Sequence, residues 1–342
     1  MGGQTKGSIE KAESIYLFYL KALAIFCVVC AHTAPVPDTS SAVNSVCSRI
    51  LDCMGTMGVP ILFVISGYFY EKNKDSFGVF WKKKAVTIVL PWLICETVVW
   101  FYVVIRKGGI SPLNWLKYIV GINSTTYYLT ILLVFFLLLW KIRKSRIMVL
   151  CGIIVSFIAL LLTAFSSPIM LQLSSLMFTP YLNPIHWLGY FCIGILCSQL
   201  TSLLNIGKAC GKVFWITGAL LIISIFCHIY YNLKYSYFSA FAIPNIVLSS
   251  SFIMGITYHM RDKTWNGLLQ LGKDSYTVYL LHQLVAGVIV WLTSKVDFFV
   301  LTLMRPFVVI AIVVIGLNIL RCLNKAIGGK LNWIYPLIGI RQ

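Results

Sequence analysis

The sequence predicts an all-α, polytopic membrane protein of about ten transmembrane helices with both termini in the cytoplasm. Three observations carry this prediction. Of 342 residues, 59% are apolar and 11% charged, with a mean hydropathy of +0.87, whereas a soluble domain carries about 25% charged residues. Apolar runs close to the ~20 residues that cross a bilayer recur along the chain, separated by short loops. The basic residues gather in alternate loops. No alternating-polarity pattern suggests a membrane barrel.

Taken in order, the expected spans are Ile15–Ala34, closed by Pro35 and Pro37, then Cys47–Tyr70 and Ala85–Ile105, the last entered through a basic cluster and carrying Pro91. Thr126–Trp140 and Ile147–Phe165 follow, then Pro184–Leu200, Val213–Tyr230 and Ile243–His259. Tyr276–Thr293 and Phe299–Cys322 complete the set. The tail Leu331–Ile340, with Trp333 and Tyr335, suits the membrane interface better than a crossing. Short connections throughout predict a single integral domain over residues 1–342. Neither end offers a stretch long enough for a soluble enzyme domain. The amino end has Lys6 and Lys11 before a long first span and no small-residue cleavage motif at a fitting distance, so that span is expected to stay as an anchor.

Charge sets the orientation. With the amino end inside, twenty of the 28 lysines and arginines fall in cytoplasmic segments and five outside, while Lys21, Arg49 and Arg305 lie within or at the rim of spans. That asymmetry obeys the positive-inside rule. It also argues against nucleic acid as the partner of a chain with net charge +18, because the bases sit in alternating loops. The eleven cysteines are scattered, mostly within apolar runs, and imply neither a disulfide framework nor a metal site. Cys27 and Cys30 have CxxC spacing but lie inside a hydrophobic span with no second pair nearby.

The first span carries the most informative spacing. Lys21 and His32 are eleven residues apart, so on a helix they fall about 20° apart on one stripe and about 16 Å apart along the axis. Ile25 and Val28 fill the stripe between them. An ionisable group inside an apolar segment is costly and by default reads as functional. Lys21 either snorkels to the interface or holds an anion. His32 is either a satisfied polar residue at a helix end or a reactive imidazole.

Other polar groups are candidates for the same pocket. Span two carries Gly55, Gly58, Pro60, Ser66 and Gly67, which imply close helix packing and a loosened backbone near Pro60. Its opening turn holds Arg49 and Asp52, three apart, as a rim bridge or part of an outward polar pocket. Lys82, Lys83 and Lys84 are expected beside a helix amino terminus, where they serve as topology signals and lipid contacts or bind a polyphosphate. Glu96 sits mid-span with no opposite charge nearby in sequence. Ser275, Tyr279 and His282 share one face of span nine. His186 and His259 stand at span ends, where histidine is usually just wet.

These landmarks, in this order, resemble the acyltransferase-3 family of integral membrane acyltransferases. Lys21 and His32 are similar to its Arg-x10-His motif, with lysine in place of arginine. Met57–Phe69 resembles its span-two signature, His186–Gly194 its sixth-span pattern and Gly272–His282 its late motif. Family members often carry two arginines three apart at the start of span three, where this chain has Lys84 and Thr87. Lysine keeps the charge and loses the planar fork for phosphate.

The resemblance implies a bacterial, multi-pass plasma-membrane O-acyltransferase, with O-acetyl transfer the leading form. The donor would be cytosolic acetyl-CoA or another acyl-CoA, with no metal, and the acceptor a hydroxyl on a surface polysaccharide or lipid-linked glycan. His32 would be the catalytic base or acyl carrier, Lys21 and Lys84 would hold the CoA phosphates, and Arg49, Asp52, Glu96, Tyr279 and His282 would line the pocket. Some relatives carry an extracytoplasmic esterase-like domain; this chain has no room for one and is expected to act alone or with a separate partner. The competing readings are a carrier of a small solute such as an amino acid, which the broken character of span two also suits, and a non-catalytic partner of a polysaccharide export system.

Overall fold

The computed structural model describes residues 2–37, 39–107, 110–122, 126–165, 172, 179–231, 237–239 and 242–340. Among them every regular element is helical. Six helices among the described residues are long and apolar enough to cross a membrane: Lys11–Thr33, Ala42–Lys72, Phe77–Ile105, Arg146–Ala164, Ser275–Thr293 and Phe299–Ala326. Pro180–Leu200 and Leu203–Lys212 form a seventh candidate, bent by 101°. Tyr127–Leu138 and Phe214–Tyr230 are shorter apolar helices. Ile147, Trp215 and Ile222 are at least 70% exposed, the side-chain distribution of helices that meet lipid.

The first helix runs Gly2–Thr33 and stops where Pro35 withholds the next backbone donor. Span two is two helices, Ala42–Gly55 and Gly58–Lys72. The backbone breaks at Thr56 and Met57, ahead of the expected position, because Pro60 falls in the first turn of the second piece, where a missing N–H costs nothing. Span three begins at Phe77, not Ala85. It passes through a π turn at Ala85–Val89 and continues as Leu90–Lys107. The lysines Lys82, Lys83 and Lys84 therefore close the first piece and do not stand at a helix amino terminus, so no N-terminal dipole serves them.

Two compact units divide the chain. The first holds Met1–Val28, Asp52–Asn73 and Leu129–Lys273. Its centre is the packing of Gly58–Lys72 against Pro184–Leu200. A Cβ on Gly67 would strike the Phe191 carbonyl, and one on Gly194 the Val64 carbonyl, so the glycines let two backbones meet. Tyr16, Leu20, Ala24, Ile61, Ile65 and Tyr68 form the surrounding core. Tyr19 locks a loop beside it, its hydroxyl donating to the Lys263 carbonyl at 2.7 Å and accepting from the Trp265 N–H at 2.7 Å.

The second unit holds Val29–Leu51, Lys74–Tyr128 and Asp274–Gln342. Ser275–Thr293 packs on Phe299–Ala326 and on Leu90–Lys107. Buried Asp274 pairs with Arg321 at 2.5 Å just ahead of Ser275. At the other end of these helices Asp297 accepts from the Ser41 N–H and the Asn44 amide, each at 2.8 Å, and the Asn44 oxygen accepts from Thr302 at 2.6 Å. Val29, Ala286 and Val309 form a small buried cluster within this unit.

Candidate active site

His32 occupies the last turn of the first helix, next to Thr33, whose hydroxyl donates to the Val29 carbonyl at 2.8 Å. His282 lies in the second turn of Ser275–Thr293 and is fully buried. The two rings face each other within the second unit, centroids 5.0 Å apart and planes inclined by 44°. The Nδ1 atom of His282 is 2.6 Å from the Tyr279 carbonyl and 3.2 Å from that of Val278. Carbonyls only accept, so Nδ1 carries the proton and Nε2 holds a lone pair. That Nε2 is buried and meets no hydrogen-bond partner among the described residues. The Tyr279 ring stands 5.8 Å from His282, and Tyr128 lies 5.5 Å from Tyr279, edge-on.

Three predicted site residues, His32, Tyr279 and His282, therefore come together. Glu96 is fully buried in Leu90–Lys107, with the Thr126 hydroxyl as its polar neighbour. Neither carboxylate oxygen receives a well-formed hydrogen bond among the described residues. Arg49 is half-buried on Ala42–Gly55, while Asp52 is exposed on the same helix and lies near the Tyr181 phenol.

Lys21 is half-buried with its Nζ 4.8 Å from the Phe69 ring and 5.6 Å from the Phe18 ring. Ile25 and Val28, which separate it from His32 along the helix, are buried inside the protein. Lys84 places its Nζ 5.2 Å from the Phe80 ring, directly before the π turn. Lys83 is paired with Asp75 at 2.8 Å. The Thr87 hydroxyl is turned back onto the Lys83 carbonyl at 2.8 Å. A π turn leaves backbone carbonyls poorly served, and Tyr276 donates to that of Ile88 at 2.6 Å.

Residues 14–320 match the acyltransferase domain of the acyltransferase-3 family. The chain belongs to that family. No curated protein and no solved structure matches it. The matched region holds Lys21, His32, the glycine-rich second span and the motif Gly272–His282, leaving only the first residues and the carboxyl tail outside. Membership makes this a membrane acyltransferase at the level of the family.

A buried imidazole with a bare nitrogen beside a second imidazole suits proton transfer, because either ring can hold a proton while the other accepts a hydrogen bond. Two residues escaped the sequence reading. Tyr128 carries no signal of its own, since only the fold brings its ring to Tyr279. Tyr276 lies inside the late motif, and its hydroxyl is what ties that motif to the π turn.

Proposed function

We propose that this family member is an O-acyltransferase of the bacterial plasma membrane, with acetyl transfer as its leading form. It acts as one integral domain of ten spans with both termini cytoplasmic, an orientation supported by the distribution of twenty bases against five. The donor is cytosolic acyl-CoA, its phosphates held by Lys21 and Lys84. The acceptor is a hydroxyl on a surface polysaccharide or lipid-linked glycan. In this orientation His32 lies toward the exterior.

The observation that carries the reading is the imidazole pair, His32 and His282, at 5.0 Å. His32 takes the proton of the acceptor hydroxyl as its oxygen attacks the thioester carbonyl. The new ester C–O bond forms, the C–S bond breaks, and the departing CoA sulfur takes the proton from His32. The thioester is already activated, so base catalysis and positioning supply the remaining acceleration. The bare Nε2 of His282, on a ring 5.0 Å from that of His32, is an acceptor available to His32 once it has taken the proton. Arg49, Asp52, Glu96 and Tyr279 are the further pocket residues of this reading.

The test is labelled acetyl-CoA supplied to membranes with and without the gene. Label on an outer glycan or its lipid-linked precursor, dependent on the gene, supports the reading. Accumulation of a small solute in proteoliposomes without acyl-CoA would establish a carrier instead, and co-purification with a glycan synthase without transfer would establish an export partner.

A further inference from the structure

Arg305 takes no part in the chemistry above, yet it is 1% exposed inside Phe299–Ala326. A buried guanidinium in an apolar helix is costly and needs partners in several directions. Its Nη1 donates to the Pro35 carbonyl at 2.8 Å and to the Thr33 carbonyl at 3.3 Å. Its Nε donates to the Thr293 hydroxyl at 2.8 Å.

Each partner sits at the end of a helix that carries a site histidine. Thr33 directly follows His32 and closes the first helix. The last carbonyls of a helix have no intrahelical donor, and here the residue four beyond Thr33 is Pro37, which has no N–H. Arg305 supplies the missing donor and places a positive charge at the negative end of the helix dipole. Thr293 is the last residue of the helix that holds His282. One turn or more deeper, buried Val29, Ala286 and Val309 pack the same three helices together.

We propose that Arg305 is a positioning residue that sets the register of the two histidine-bearing helices and thereby holds His32 against His282; its value for turnover rests on the acyltransferase reading. A lysine would keep the charge, but one ammonium cannot reproduce a planar fork aimed at two helix ends.

The test compares wild type with Arg305→Lys, with Thr293→Val as a gentler change that removes one acceptor and preserves shape. Two readouts are taken on intact, membrane-inserted protein. One is the rate at which diethyl pyrocarbonate labels His32, measured by mass spectrometry with His259 as internal reference. The other is acetyl-CoA consumption by membranes, resolved into kcat and KM. In Arg305→Lys the frayed last turn should speed His32 labelling about threefold with His259 unchanged, and kcat should fall about tenfold or more with KM within about twofold. Thr293→Val should shift both in the same sense and less. His32 labelled at the wild-type rate in both variants would overturn the proposal. Should wild type consume acetyl-CoA no faster than His32→Ala, the functional reading fails instead, and the labelling still decides the role of Arg305.

Discussion

The imidazoles of His32 and His282 face each other at 5.0 Å although 250 positions separate them in the chain. The second ring is oriented by its own helix: Nδ1 is spent on the Tyr279 and Val278 carbonyls, which leaves Nε2 as the acceptor. A helix that bends its histidine back onto its own carbonyls fixes a tautomer without help from an acid. No group of three or more metal-ligating side chains occurs among the described residues.

That geometry makes His282 testable apart from His32. His282→Gln retains an amide donor for the backbone carbonyls and lacks a basic nitrogen. Transfer should fall about 10²-fold, the low end for a lost acid–base partner, with thermal stability close to wild type. A rate within about threefold of wild type would reduce His282 to a packed ring.

Gly67 and Gly194 let two helix backbones meet within the first unit. Gly67→Ala adds a methyl where the Phe191 carbonyl already stands, so the helices must separate along their length. The expected cost is about 1–3 kcal/mol, read as a lower thermal midpoint and less folded protein in the membrane. An unchanged midpoint would mean that the two helices slide freely.

Asp297 gives a pH signature outside the spans. Its carboxylate is held below the usual range by the Ser41 backbone N–H first and then by the Asn44 amide. A depressed carboxyl stabilises the fold above its unfolded value and loses that contribution as pH falls through its folded value. Asp297→Asn should therefore be less stable than wild type at neutral pH, and the difference should begin to narrow below about pH 4 and close only once the pH falls below the depressed folded value. A gap that stays constant with pH would show that the carboxylate charge is irrelevant there.

Much of this molecule was readable from residue order. The apolar run, Pro35 and the spacing of Lys21 and His32 defined the first span, and the helix ends at Thr33. Pro184–Leu200 emerged with its expected bounds because Asn183 caps it and the proline sits at its first position. Span three was harder. Its lysines looked like a helix entry, but Ser76 precedes the true start and the π turn runs the two pieces together. Local pattern could flag His32 and His282 one at a time, as ionisable groups in apolar surroundings. It could not show that they face each other, nor that Arg305, one base at a rim, reaches carbonyls 270 and 272 positions away. Long-range contacts of this kind leave no periodic trace in a single chain.

The central claim is that His32 carries the proton in acyl transfer. The direct measurement is gene-dependent transfer of label from acetyl-CoA to the membrane acceptor, wild type against His32→Ala, at matched amounts of folded and inserted protein. A loss of about 10²-fold or more is expected. Transfer by His32→Ala at close to the wild-type rate would contradict the account.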